Sequence, residues 1–102
     1  MKQRDPASKS HHDAVVEELR HDPKLAAEYL RAAMEDAEEP QVLLIALRRI
    51  AEANGGVAKV AKAAGIQRES LYRALSAKGN PRWSTLLAVT RVVGLKLTVE
   101  AM

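Results

Sequence analysis

Hydrophobic residues recur every three to four positions over most of the chain, which is the spacing of amphipathic α-helices. Residues 22–39 open with an Asp-Pro pair, which is typical of a helix start because Asp caps the first turn and Pro fits there without an N–H. In residues 40–53 the apolar positions cover much of the circumference, which predicts a central, buried helix. An Asn-Gly-Gly sequence at 54–56 ends that helix.

Three shorter helices are predicted in the second half of the chain. Two of them, at about 57–64 and 68–77, are separated by a glycine, and the Lys-Gly-Asn-Pro sequence at 78–81 is typical of a loop. The last helix spans about 83–93, begins with a tryptophan that is expected to anchor the core, and ends at a glycine.

The N-terminal part of the chain is less regular. Residues 1–21 are expected to form a flexible segment because most of them are polar or charged. Within that segment, Val15, Val16 and Leu19 favour a short helix starting at Asp13, or a stretch that becomes ordered on docking.

The C-terminal residues 95–100 alternate between apolar and polar types, which is typical of a short β-strand. A single strand needs a partner, and the simplest source in a helical protein is a second copy of the same chain. Homodimerisation is therefore predicted through Leu95, Leu97 and Val99.

Composition narrows the class of protein. With 47% apolar residues in 102, the chain can bury one modest core. There are no cysteines, which excludes disulfide frameworks and thiolate zinc sites. No apolar run approaches the roughly 18–20 residues of a membrane span, and the N-terminus lacks the apolar stretch of a signal peptide. A soluble, cytoplasmic protein without membrane contact is expected.

The sequence does not predict an enzyme. It has no Ser–His–Asp context, no cysteine nucleophile and no Gly-rich phosphate loop joining a strand to a helix. His11, His12 and His21 lie in a polar stretch without the further rigid ligands that a metal site needs. No catalytic residue, metal site or cofactor is predicted.

Charge is distributed unevenly along the chain. Residues 1–40 carry six Lys/Arg against ten Asp/Glu, a net charge of −4, whereas residues 41–102 carry ten against three, a net charge of +7. The basic part suits phosphate groups, and the acidic part suits a basic protein. Ordinary solvated faces would give the same counts, so the motifs must decide between these interpretations.

The motif that decides is a helix-turn-helix at about residues 57–76. Such a pair of helices crosses at a very small residue, here Ala61, and turns at a residue that tolerates a left-handed backbone, here Gly65. The positions expected to seal the pair onto the domain are apolar: Val60, Ala64, Ile66, Leu71 and Ala74.

The second helix of this pair has a polar outer face. If Leu71, Ala74 and Leu75 face the core, the opposite side holds Glu69, Tyr72, Arg73 and Ser76, and Arg68 stands at the N-terminal end that reaches into a DNA groove. A helical hairpin without a DNA role is the alternative interpretation.

The sequence also resembles a known family. The stretches ESLYRALSAKGNP, TLLAV and VVGLKLTV, with AEYLRAAMEDAEEPQVLLIALRRIAEANGGVAKVAKAAG upstream, resemble the addiction-module antidote (antitoxin) branch of the phage-repressor-type helix-turn-helix proteins. The likeness spans about residues 22–100. It implies a dimeric DNA-binding protein that neutralises a small toxin and represses its own promoter. One departure is Gln67, where Ser or Thr is usual as the helix cap.

The predicted fold is therefore all-α. A flexible segment over residues 1–21 precedes a single domain over 22–102, in which five to six helices form a repressor-like helix-turn-helix arrangement with a possible short C-terminal β-strand.

Four residues are the candidates for reading bases. Arg68 can hold a guanine through O6 and N7, and Arg73 can act similarly. Glu69 can accept from cytosine N4, but an i,i+4 ion pair with Arg73 is the preferred interpretation. Tyr72 can touch a thymine methyl or a phosphate, or pack in the core.

Residues around the motif are candidates for phosphate contact, through basic or polar side chains or through backbone N–H groups at a helix N-terminus. They are Gly56, Val57, Lys59, Lys62, Gln67, Ser70, Lys78, Asn80 and Arg82.

Two functions remain open at this point. The first is a DNA-binding antitoxin that represses its own operon, binds its operator as a homodimer and neutralises a small basic toxin. The second is a helix-turn-helix regulator that has no toxin partner, in which the N-terminal helices dimerise or bind another protein.

Overall fold

A computed structural model describes residues 10–35 and 38–102, and these residues form six α-helices and no strand. The helices are α1 (His11–Leu19), α2 (Pro23–Glu35), α3 (Pro40–Ala53), α4 (Val57–Ala64), α5 (Arg68–Ala74) and α6 (Trp83–Val92). The all-α prediction is confirmed. None of the helices in the described ranges is long and apolar enough to cross a membrane.

The centre of the core is α3. It packs against α1, α2 and α4, while α4 packs against α5 and α6. Leu47, Ile50 and Ala51 are at most 2% exposed, as the apolar circumference of this segment predicts. One continuous hydrophobic cluster includes residues from every helix. The α4–α5 pair is thus fixed to the domain through α3 and α6.

The first helix, α1, belongs to this core. Ser10 caps it, with its Oγ accepting from the Asp13 N–H at 3.0 Å, and Val16 and Leu19 are buried. Part of the segment that sequence analysis assigned as flexible is therefore a helix packed on α3. The burial of only two side chains was enough to add it to the domain. Residues 1–9 of that segment lie outside the described residues.

The start of α2 follows the prediction. The Asp22 Oδ1 accepts from the Leu25 N–H at 3.0 Å, which satisfies one of the unpaired donors of the first turn. Ala26, Leu30 and Ala33 are buried, so one side of α2 faces α3.

The tryptophan at the start of α6 was expected in the core, and this expectation is wrong. Trp83 is 64% exposed, whereas Val89 and Thr90 later in the helix are buried. The first turn of α6 projects beyond the helices that cover the rest of it, because α6 makes its main contact with α4.

After α6 the chain turns at Gly94, whose φ of +82° suits glycine, and the Leu95 N–H donates to the Thr90 carbonyl at 2.8 Å. Residues 95–100 then line a groove with α2, including Leu30 and Met34. They form no strand, because nothing in the described chain offers a second strand to pair with.

Candidate nucleic-acid interface

The turn between α4 and α5 is built as the sequence motif requires. Gly65 has a φ of +73°, its N–H donates to the Lys62 carbonyl at 3.2 Å, and the Ile66 N–H donates to the Ala61 carbonyl at 2.9 Å. This is a Schellman arrangement, which ends α4 and redirects the chain into α5. Ala61 is completely buried, so the small residue stands at the contact.

Helix α5 presents one apolar and one polar face. Leu71 and, directly after the helix, Leu75 are at most 2% exposed. The side chains of Arg68, Glu69 and Arg73 are exposed, and Tyr72 is 41% exposed. The structure thus brings the four predicted base-reading residues together on the outer side of one helix.

The start of α5 differs from a standard cap. Gln67 occupies the N-cap position with φ −64° and ψ 135°, and its side chain makes no capping hydrogen bond. Its carbonyl accepts from the Leu71 N–H at 3.0 Å. The Gln67 side chain is exposed beside the first turn of α5, where N–H groups have no intrahelical partner.

The preferred ion pair between Glu69 and Arg73 is not formed. Glu69 instead approaches Arg68, with Nε and Oε2 3.7 Å apart. Both side chains are about two-thirds or more exposed, at 67% and 75%, so this contact is weak and leaves either side chain able to reorient. Arg73 has no ion pair with any described residue.

The predicted phosphate-contacting side chains are exposed around α4 and α5, apart from Ser70, which is half-buried. They are Lys59, Lys62, Lys78, Asn80 and Arg82.

The backbone donors at the start of α4 are only partly available. The Gly56 N–H donates to the Ala51 carbonyl at 3.0 Å, so the prediction that it serves a phosphate is wrong. The end of α3 already uses it to satisfy one of its own last carbonyls. The Val57 side chain is buried, and its N–H lies in the first turn of α4, where no intrahelical acceptor exists.

The loop after α5 is held tightly against that helix. The Gly79 N–H donates to the Ser76 carbonyl at 2.8 Å, and a Cβ at this position would overlap the Ala74 carbonyl. Only glycine permits this approach, which keeps Lys78 and Asn80 next to the C-terminal end of α5.

Sequence analysis missed a polar network behind α5. The Arg48 guanidinium carbon lies 5.6 Å from the centre of the Tyr72 ring, in cation–π geometry. Arg48 Nε is 3.3 Å from Glu52 Oε2, and Glu52 Oε1 is 2.7 Å from His12 Nε2. The i,i+4 spacing of Arg48 and Glu52 was visible in the sequence, but their partners on α1 and α5 were not.

The same network continues to α2. Arg49 Nε donates to His12 Nδ1 at 3.1 Å, and Arg49 Nη1 donates to the Tyr29 hydroxyl at 2.9 Å. Because Nδ1 accepts, the proton of a neutral His12 lies on Nε2, from which it is donated to Glu52. The network therefore joins α1, α2, α3 and α5 through five polar side chains and one aromatic face.

Glu52 is the residue in this network whose titration changes. Partial burial by itself raises its pKa, but hydrogen bonds from His12 and Arg48 and the attraction of these two groups outweigh that effect. The net result is a pKa of Glu52 below its ordinary value of 4.5.

These features define an all-helical domain of the helix-turn-helix-like class, with an exposed polar helix as its candidate interface. Within the described ranges no group of three or more His, Cys, Asp or Glu residues could hold a metal ion. The chain belongs to a family described as probable addiction module antidote proteins, whose model matches residues 10–101. Antidote proteins are generally not enzymes, which agrees with the expectation for this chain.

An uncharacterized protein of Haemophilus influenzae is similar to this chain. It is 36% identical over 72 residues, which cover 71% of this chain and 72% of the relative. No solved structure matches the chain.

Proposed function

We propose that the protein is a sequence-specific DNA-binding antitoxin of a type II toxin–antitoxin module, acting in the cytoplasm. It represses its own operon by binding double-stranded operator DNA as a homodimer, and it neutralises a partner toxin. The observation that carries this proposal is the outer face of α5, where Arg68, Glu69, Tyr72 and Arg73 are exposed beside a ring of basic residues.

In this proposal α5 enters the major groove with its N-terminal end leading. Arg68 and Arg73 hold guanine edges, and Glu69 can leave Arg68 to accept from cytosine. Tyr72 contacts a thymine methyl or a phosphate, and Arg48 steadies its ring. The exposed residues around α4 and the loop after α5, together with the Val57 N–H, bind phosphates and set the register on the duplex.

The toxin contact is assigned to the N-terminal helices. Residues 1–40 carry a net charge of −4, and Glu28, Glu35, Glu38 and Glu39 are exposed. A small basic toxin would be attracted to this surface. The two functions then use opposite charges on different helices, so one partner does not compete electrostatically with the other.

The decisive measurement is fluorescence anisotropy of the full chain on the DNA upstream of its own gene, with unrelated DNA as control. Binding to the upstream DNA is expected to be at least about a hundredfold tighter. Arg68→Ala should cost about 1–3 kcal/mol on that DNA. Arg20→Ala, which removes an exposed arginine of α1, is the matched control and should change little.

Three outcomes are informative. Equal, steeply salt-dependent binding to both DNAs would leave only the phosphate contribution and contradict sequence-specific recognition. No binding at low salt would contradict the DNA-binding proposal. Specific binding, without any rescue of growth by this chain when an adjacent basic reading frame is expressed, would favour a regulator that lacks a toxin partner.

A further inference from the structure

A group of large apolar side chains lies uncovered beside the C-terminal segment, residues 95–100. Trp83 is 64% and Met34 46% exposed, and both line a shallow cavity together with Leu97. Val99, two residues further along, is 97% exposed. Single exposed apolar residues are ordinary, but a contiguous group of them marks an interaction surface.

The C-terminal segment also has an open backbone. Beyond Leu95, no backbone group of residues 96–102 is hydrogen-bonded to another backbone group of the described chain. Leu95 and Leu97 are half-buried, whereas Lys96, Thr98 and Glu100 are exposed. The segment thus has one apolar side, one polar side and an unpaired edge, which is the form of a strand awaiting a partner.

We propose that a second copy of this chain pairs antiparallel with this segment, with Thr98 of one copy directly opposite Thr98 of the other on the twofold axis. This inference rests on the dimeric DNA-binding function proposed above and specifies the surface that forms the dimer. In a twofold pair the same surface of each copy meets the other, so every contact occurs twice.

The charges select this register. With Thr98 on the axis, Lys96 of each copy lies opposite Glu100 of the other. Centring the pair on Leu97 would place Lys96 opposite Thr98, and a parallel pair in register would place lysine opposite lysine. Opposite charges across strands stabilise a pair and like charges destabilise it.

The same register covers the apolar group. Val99 of the second copy lies opposite Leu97, on the apolar side of the segment. Leu97 lines the cavity that also includes Trp83 and Met34. The most exposed apolar side chain of one copy is therefore brought to the uncovered apolar group of the other. A self-complementary match in both charge and apolar contact identifies the second copy as the occupant.

The first test uses the single tryptophan of the chain as a probe. Sedimentation is expected to show a dimer at micromolar concentration, and the emission of Trp83 should shift to shorter wavelength as the dimer forms. A chain that remains monomeric up to high micromolar concentration would overturn the proposal, as would a dimer that leaves the emission unchanged.

The second test fixes the register by disulfide formation, which is clean because the chain has no cysteine. Opposed residues in an antiparallel pair have Cα atoms about 4.5–5.5 Å apart, within the range that a disulfide accepts. Thr98→Cys should cross-link with itself. Leu97→Cys and Val99→Cys should cross-link when mixed but not alone. Self-linking of Leu97→Cys in preference to Thr98→Cys would overturn the register.

The third test reverses the charges. Lys96→Glu should weaken self-association about tenfold, because it replaces two attractive pairs by two repulsive ones. Adding Glu100→Lys to Lys96→Glu should restore it, whereas Glu18→Lys on α1 should have no effect. Failure of the double variant to recover would overturn the pairing. None of these readouts includes DNA, so a dimer with this register that ignores operator DNA would contradict the proposed function and leave the dimer surface intact.

Discussion

At the scale of the residue, Glu52 joins helices that are far apart in the sequence. It accepts from His12 on α1 and pairs with Arg48, which in turn lies over Tyr72 of α5. Its pKa lies below the ordinary value of 4.5, so the folded state binds fewer protons at this site than the unfolded state does. Its contribution to stability is therefore present above the ordinary pKa and is lost as the pH falls through the lower, folded value.

Glu52→Gln tests this contribution. The free energy of unfolding should fall relative to the parent near neutral pH, and the difference should shrink below a pH of 4.5 as the parent carboxylate becomes protonated. Urea unfolding across this pH range measures it, with Glu18→Gln on the exposed side of α1 as control. A difference that stays constant with pH would show that the carboxylate charge is not what stabilises the network.

At the scale of the element, the turn between α4 and α5 depends on a single backbone conformation. Gly65→Ala should destabilise the fold by about 1–2 kcal/mol, because an L side chain disfavours the left-handed region. A Cβ at Gly65 would meet no atom within 4 Å, so this cost arises from the backbone and not from a clash.

The control for this element is Gly65→Asn. Asparagine tolerates the left-handed conformation better than alanine does, so it should lose less stability in the same urea titration. Equal losses for both variants would mean that something other than the φ angle of Gly65 is responsible.

At the scale of the whole molecule, the position of α1 decides where the domain begins. Leu19 is 4% exposed in the core. Leu19→Ala should therefore lower the free energy of unfolding by about 2–5 kcal/mol, as truncations of buried leucines do. Chemical denaturation would detect it, and the exposed neighbour variant Glu18→Ala serves as reference. A loss below about 0.5 kcal/mol, typical of a surface position, would restore a domain that begins near residue 22.

Much of the fold was predictable because its signals are local. The cap at Asp22, the central apolar helix α3 and the glycine turn at Gly65 each depend on residues within a few positions of one another. The predicted face of α5 followed from helical periodicity for the same reason. The Glu69 partner was wrong because two exposed side chains on one helix have several arrangements of nearly equal energy.

The sequence by itself determined the helical class, the turn of the helix pair and which side of α5 is polar, since periodicity and glycine conformation act over single turns of the chain. Only the tertiary structure decided that α1 completes the core, that Trp83 is exposed, that the Gly56 N–H is already bonded and that His12, Glu52 and Arg48 connect to Tyr72. These properties depend on which distant surfaces meet, and no spacing along a single chain records that.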